Sequence, residues 1–404
     1  MPGPLHGFTI LDLSAMLSGP WCTSILGDQG ADVIKIEVPG KGDHTRALRN
    51  QRGGLPANFL QINRNKRSLT LDMKNPAGRQ VFLDLAARAD VVVQNFRPGV
   101  VDRLGIGYDA VRGINPRIVY LSLSGFGEAG PYSHKPVYDP VIQALSGLTT
   151  IQAGADEARP KLVRTVLPDK LSAVTASQAI TAALLSRERT GEGQHIRLSM
   201  LDAVMAFLWA SDYNAQTFPD RPTTNQRAAS FIDLIYETAD GYMTVAVMSN
   251  KEWEALTRAF DKPEWLTDPR FATPSARDNH INERLEMTQD VLRTRTTAEW
   301  LEVLEREGVP CAPALTRNAA VEHEQVQASG ILVEVEHPTA GRLRHARPAA
   351  RFESTPADLR RGAPELGQHN EEILRELGRS EAEIEALRAS GAIGSEALQA
   401  SAAE

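Results

Sequence analysis

Short β-branched runs alternate with longer stretches of helical period along the first half of this chain, and that alternation narrows its fold more than any other feature. Thr9 to Leu13 reads as a strand, and Gly19-Pro20 opens a helix, with Pro20 in the first turn, where a missing N–H costs least. Ala31 to Glu37 (ADVIKIE) then returns as a second apolar run closed by Pro39-Gly40. The unit recurs: a helical stretch from Pro76 to Arg88 precedes a strand at Asp90 to Gln94, and Arg117 to Ser122 (RIVYLS) reads as a further buried strand. Strands alternating with helices predict an α/β fold, a mainly parallel sheet covered on both faces.

At 404 residues the chain exceeds what one core holds, so two or three domains are expected. Leu171 to Arg187 carries Ala, Leu and Ile at helical spacing and ends in Arg-Glu-Arg-Thr-Gly, a helix-stop signal. His195 to Ser199 reads as a strand and Leu201 to Trp209 as a helix. Thr217 to Gln226 loses hydrophobic period and holds two prolines, which places a boundary there. Beyond that boundary a smaller, more helical α+β domain is expected. Within the smaller domain, Gly241 to Val247 reads as a strand and Lys251 to Phe260, Ala276 to Arg293 and Thr297 to Glu307 as helices. Ile331 to Glu336 resumes strand character, Glu371 to Arg388 reads as two exposed helices, and the tail beyond Gly391 as frayed.

Several chemistries find no support. The net charge is −7, without the basic excess of a nucleic-acid or anionic-membrane binder. No run of 18 apolar residues occurs, and Met1 to Thr9 has no basic segment leading into an apolar one, so neither a membrane span nor a signal peptide is expected. Cys22 and Cys311 stand in no metal or redox spacing, and a reducing, cytoplasmic location is the expectation. None of the nine histidines pairs with another at i+4, so no metal site is expected. Gly125-Phe-Gly127-Glu-Ala-Gly130 fits G-x-G-x-x-G, but Pro131, Pro136 and Pro140 interrupt the helix a dinucleotide site needs, and a glycine-rich turn is the better reading. Ser146 sits outside any G-x-S-x-G elbow, and no phosphate-binding G-x-x-x-x-G-K-[ST] loop is present.

Two features keep a chemical reading open. Asp169, in Leu-Pro-Asp-Lys-Leu just before the long apolar helix, reads by itself as a helix N-cap. There the positive end of the helix dipole also favours the ionised carboxylate, the form a nucleophile must have. Arg46, Arg49, Arg52, Arg64, Lys66, Arg67 and Lys74 crowd one stretch, which reads either as a solvated face or as scattered charges for a polyanion such as the phosphates of coenzyme A.

The residues carry a resemblance to the class III CoA-transferase family, which includes formyl-CoA transferase, carnitine CoA-transferase and the α-methylacyl-CoA racemases. The similar segments are LDLSAMLSGP (11–20), GADVIKIE (30–37), NRNKRSLTLDMKNPAGR (63–79), ADVVVQNFRPGVVDRLG (89–105), NPRIVYLSLSGFGEAGPY (115–132), RERTGEGQHIRLSMLDA (187–203), DKPEWLTDPRF (261–271) and GVPCAPA (308–314). The resemblance implies a Rossmann-like large domain made from both chain ends, with 1–216 as its first part and 331–404 as the return to it, a smaller α+β domain with linkers inserted at 217–330, and a homodimer of interlocked rings. It also implies that Asp169 is the nucleophile, carrying CoA as an aspartyl thioester, and that acyl-CoA and a small carboxylic acid are the substrates, with no tightly bound cofactor. The positions that resemble CoA contacts are Leu17, Ser18, Leu71, Asp72, Met73, Lys74, Asn95, Phe96, Arg97, Arg103, Val137, Tyr138 and Asp139.

Departures from the family pattern narrow the choice. The racemases resembled here use a histidine and aspartate opposite a glutamate, whereas this chain has Tyr138 and Asp139, with Ser249 and Asn250 near the glutamate position, so two-base epimerisation is the weaker alternative. The oxalate enzymes carry a glutamine, a tryptophan and a polyglycine loop; here stand Leu17 and Leu48, and no polyglycine run follows residue 215. A small dicarboxylate such as succinate, met by Arg46 or Arg164, fits an aliphatic spacer better. A non-catalytic CoA-binding protein is the reading from a different class.

Overall fold

The computed structural model describes residues 3–220 and 234–394. These fall into two compact units, one made of both chain ends and one running from residue 234 to Gly330. The boundary expected at 217–226 lies largely outside the described residues, as does the tail from residue 395.

The first unit is built on six parallel strands: β1 (Thr9–Asp12), β2 (Asp32–Glu37), β3 (Lys66–Thr70), β4 (Val91–Gln94), β5 (Val119–Ser124) and β6 (Gln194–Ser199). Their order is β3-β2-β1-β4-β5-β6. Leu11 pairs with Ile34 on one side and Val92 on the other, so the chain reverses direction of growth at β1 and leaves a crevice beyond the carboxyl ends of β1 and β4. Both faces are covered, which is why the strands read as continuous apolar runs. Leu11, Ile34, Val92 and Tyr120 pack on one face with Val81, Phe82 and Ile373. Ile10, Val33, Val91, Val119 and Leu121 pack on the other with Leu26, Ala176 and Ile180. Each such side chain contributes about 1.5–3 kcal/mol on burial.

Among the helices that supply these faces are α1 (Ser18–Asp28), α2 (Pro76–Ala86) and α4 (Leu167–Thr190), whereas α3 (Asp139–Leu145) and α5 (Met200–Trp209) pack together in a separate cluster through Ile142, Val204 and Leu208. α2 starts with Asn75 accepting from the N–H of Ala77 and with Pro76 in its first turn, the start its sequence predicts. α4 stops at Gly191, whose φ is 81°.

Strand β3 lies inside the stretch that reads as a solvated or polyanion-binding basic run, and for Arg64, Lys66 and Arg67 both readings are corrected, while Arg49, Arg52 and Lys74 are exposed. Lys66 is fully buried on Asp12 (2.8 Å), Arg64 pairs with Asp28 (2.7 Å), and Arg67 bonds Asp32, Glu372 and Glu376. The charges of this strand face partners from other elements, not water or phosphate. Of the tail expected to be frayed beyond Gly391, the first residues are packed: Ala392 and Ile393 are buried, and the Ala392 carbonyl accepts from the N–H of Asp72 at 2.9 Å, while residues 395–404 lie outside the described residues.

The second unit holds a three-stranded antiparallel sheet of β7 (Ile235–Glu237), β8 (Tyr242–Val245) and β9 (Cys311–Pro313), ordered β9-β8-β7. α6 (Asn250–Ala259) and α7 (Thr297–Glu307) each begin with a reciprocal Ser or Thr to Glu capping box. Trp253, Phe260, Trp265, Phe271 and Trp300 fill this core. The single helix expected from Ala276 to Arg293 is two, Pro274–Asn279 and Ile281–Leu292, broken at His280, which adopts a non-helical φ and ψ.

After the second unit the chain returns to the first with a hairpin, β10 (Leu332–His337) and β11 (Gly341–Ala346), and then α8 (Asn370–Glu376) and α9 (Glu381–Ala389). Ile373, Leu374 and Ile384 bury one side of these last helices, which are therefore half-exposed where exposed ones are expected.

Candidate active site

Three chain segments meet at the carboxyl end of the parallel sheet. The first is the turn from β1 into α1. The second is the segment entering α3, and the third is the start of α4. The last begins at Leu167, four residues before the apolar run that opens at Leu171, with Pro168 in its first turn. Asp169 is thus not the N-cap expected from sequence; it lies inside the first helical turn, and its carboxylate is available for something other than capping.

That carboxylate turns toward α1. The Ser18 hydroxyl donates to Asp169 Oδ1 at 2.5 Å, and Ser18 is only 5% exposed. The backbone N–H of Asp169 donates to Asp139 Oδ2 at 3.2 Å, which ties the start of α4 to the start of α3. Gln143, one turn further along α3, donates to Asp139 Oδ1 at 2.6 Å and to the carbonyls of Val163 and Thr165, while its own carbonyl accepts from the N–H of Val163. Asp139 and Gln143 together fix the strand of chain that leads into Asp169.

Electrostatics keep both carboxyl groups above the ordinary range. Burial raises the pKa of Asp169, and the neighbouring Asp139 raises it further, while the bond from Ser18 lowers it. Burial likewise raises Asp139 against the hydrogen bonds from Gln143 and from the Asp169 backbone. A carboxylate held in this way is more basic than one in water, and hence a stronger nucleophile once ionised.

The positions expected to touch CoA are scattered along the carboxyl ends of β3, β1 and β4 and the entry to α3. Leu17 and Ser18 open α1; Asp72, Met73 and Lys74 follow β3; Asn95, Phe96 and Arg97 follow β4; Arg97, Arg103 and Lys74 are exposed. Tyr138 is 70% exposed beside buried Asp139. Val137 presses on the glycine-rich turn so closely that a Cβ at Gly125 would lie 2.2 Å from Val137 Cγ1, which is what that glycine is for. Some expected contacts have other work. Leu71 is 1% exposed in the core and gives its N–H to the Glu37 carbonyl, so its side chain does not face a ligand. The Asn95 amide bonds both the N–H and the carbonyl of Ala15, at 3.0 and 2.8 Å. Asp72 Oδ1 accepts from the N–H of Lys74.

The expected substrate contacts divide. Arg46 does not stand free: its guanidinium makes a two-pronged pair with Glu37 at 2.7 and 2.8 Å, donates to the Pro364 carbonyl and lies over the Phe59 ring. Leu48 is 39% exposed, and Arg164 is exposed on the segment that Gln143 holds. At the position compared with a racemase glutamate, Ser249 caps α6 and the Asn250 side chain accepts from Arg277. Among the described residues no group of His, Cys, Asp and Glu could hold a metal ion. Sequence reasoning missed Gln143; its only signal is its place one helical turn beyond Asp139.

The chain is similar to known proteins along most of its length. The profile of CoA-transferase family III matches residues 5–370. The mouse succinyl-CoA:glutarate CoA-transferase is 34% identical, over 96% of this chain and 90% of that protein. A formyl-CoA:oxalate CoA-transferase of Bradyrhizobium is 32% identical, over 97% of this chain and 98% of that one. The crystal structure of Rv3272 from M. tuberculosis superposes with a TM-score of 0.81 at 31% identity, covering 91% of this chain and 98% of its own.

Proposed function

Because this chain belongs to CoA-transferase family III, we propose that it moves CoA between carboxylic acids through the side chain of Asp169. Asp169 attacks the acyl carbon of the donor thioester and forms a mixed anhydride, releasing CoA thiolate. The thiolate attacks the aspartyl carbonyl, the donor acid leaves, and an aspartyl-CoA thioester remains; an incoming acid reverses both steps. One thioester replaces another, so no ATP enters the reaction.

The observation that carries this reading is the Ser18–Asp169 contact, which engages a half-buried carboxylate away from helix capping, at the crevice where α/β sheets bind their ligands. Asp72 to Lys74 and Phe96 to Arg103 border the same end of the sheet and would take the nucleotide and pantetheine parts of CoA. Tyr138 stands where the racemases resembled use a histidine, and the Ser249 and Asn250 side chains are engaged in helix capping and with Arg277. These points favour transfer over racemisation. The bonded, pKa-raised carboxylate likewise favours an enzyme over a passive CoA binder.

We take at least one exchanged acid to be a small dicarboxylate carried as its CoA ester, succinyl-CoA being the type. Support comes from the relatives, whose names pair CoA with glutarate and with oxalate. The reading extends to an interlocked homodimer, as the resemblance implies, for which a mass in solution of twice 44.1 kDa is the check. It includes a cytoplasmic setting, consistent with two unpaired cysteines and with the lack, among the described residues, of any helix long and apolar enough to cross a membrane. The direct test is Asp169→Ala, which should abolish transfer between acyl-CoA and free acid with the fold intact. Turnover above about 1% of wild type would remove the covalent role, given the size of nucleophile effects.

A further inference from the structure

We propose that Ser18 is a catalytic residue of this transferase: its hydroxyl is the oxyanion donor for every step that takes place at the Asp169 carbonyl. The inference deepens the proposed function and rests on Asp169 being the nucleophile.

The atoms of the carboxylate are not equivalent. Oδ1 accepts from Ser18 at 2.5 Å, and no bond to Oδ2 is made among the described residues. Oδ2 is then the oxygen that adds to the donor's acyl carbon, and CoA leaves as its thiolate. When the thiolate returns to Asp169 Cγ, the carbonyl electron pair moves onto Oδ1. Collapse of that tetrahedral centre expels the donor carboxylate, which carries Oδ2 away. In the second half, a carboxylate oxygen of the acceptor adds to Cγ, the pair moves again onto Oδ1, and thiolate leaves. The thiolate then takes the acceptor's acyl carbon, and Asp169 keeps the acceptor's oxygen in place of Oδ2. Oδ1 alone stays on the enzyme throughout, and it bears the negative charge each time. The Ser18 hydroxyl already sits on it.

A donor is worth most in catalysis when it is fixed before charge develops, and the turn that delivers Ser18 is held at nearly every peptide. Leu13 donates its N–H to the Val93 carbonyl at 2.9 Å, and Ser14 its N–H to Asp12 Oδ1 at 2.9 Å. Lys35, fully buried, donates to the Ser14 carbonyl at 3.0 Å and pairs with Asp43 at 2.9 Å. Asn95 clamps both polar groups of Ala15, and Asp43 Oδ1 accepts the N–H of Met16 at 3.2 Å. Met16 is thereby kept at a φ of 71°, a conformation that a side chain rarely adopts unaided. Gly19 closes the turn: a Cβ there would fall 2.3 Å from the Ser14 side chain. Ser18 is the first residue of α1, so the positive end of that helix adds to the same effect.

The test uses the enzyme-CoA adduct of the full chain, formed from succinyl-CoA, freed of excess substrate and then exposed to hydroxylamine, which must also pass through an oxyanion on Oδ1. Ser18→Ala, and Ser18→Cys as a second variant of nearly native size, are expected to form the adduct given time. They should release CoA about 10²-fold more slowly than wild type, the effect of losing one such donor. Their kcat should fall to match while KM for acyl-CoA stays within about twofold, a split that marks an interaction made only in the transition state. The acidic limb of kcat should also move to higher pH, because the lost bond favours the ionised carboxylate. Equal release rates in the variants and wild type would overturn the proposal and leave Asp169 as the nucleophile. Absence of any adduct in the wild type would instead sink the reading on which the proposal rests.

Discussion

A second carboxylate brought in beside the reacting thioester costs several kcal/mol to desolvate unless a cation meets it, so the choice of acid turns on which basic side chain is available. Arg46 is not: Glu37 and the Pro364 carbonyl occupy its guanidinium. Arg164 stands five residues before Asp169 on a segment whose neighbours Val163 and Thr165 are pinned by Gln143, and its side chain is exposed. We therefore expect kcat/KM for succinyl-CoA to exceed that for butyryl-CoA by at least tenfold, about 1.4 kcal/mol, and the excess to shrink in Arg164→Met. Equal values for the two esters would leave a monocarboxylate transferase. Residues of this kind mark the edge of what sequence can show. Asp169 is legible from its motif at a helix start, but the bond that orients it comes from Ser18, 151 positions away, and no local pattern announces it. Arg46 looked free for a parallel reason, since nothing near it in sequence reveals that Glu37 on the adjoining strand faces it.

Strand β3 carries the same lesson at the scale of elements. The β-branched runs of β1, β2, β4 and β5 show themselves by composition, because both faces of each are apolar. β3 begins Lys-Arg-Ser and hides among basic residues, yet every one of its residues is buried. Its Lys66 ammonium contacts Asp12, the Pro20 carbonyl and Asn63, and burial without full compensation pushes its pKa down to about 8. Asp12, held far below the usual carboxylate range by Lys66 and Lys35 in spite of its burial, is the acid at the end of β1 that also grips Ser14. Removing one partner of such a pair strands the other charge in a dry site, so Lys66→Met should lower unfolding free energy by about 3–5 kcal/mol. Urea denaturation measures it, and a loss below about 1 kcal/mol would mean that Asp12 finds water or another partner.

For the whole molecule, the parallel sheet follows from alternation and periodicity, which are properties of neighbours in sequence, whereas the return of the chain to its first unit is expected from family resemblance. The site is different in kind. It forms where three distant segments converge beyond the strand ends, and its legibility in the sequence came through family resemblance and not through any spacing of its residues. The account's central claim is that this convergence makes Asp169 a covalent carrier of CoA. The most direct measurement is peptide mass spectrometry of the enzyme after brief exposure to succinyl-CoA without an acceptor acid. The account predicts a CoA-sized addition on the peptide that contains Asp169, which hydroxylamine removes, and no such addition in Asp169→Ala. Transfer that proceeds at full rate with that peptide unmodified, or an adduct on any other residue, would contradict it.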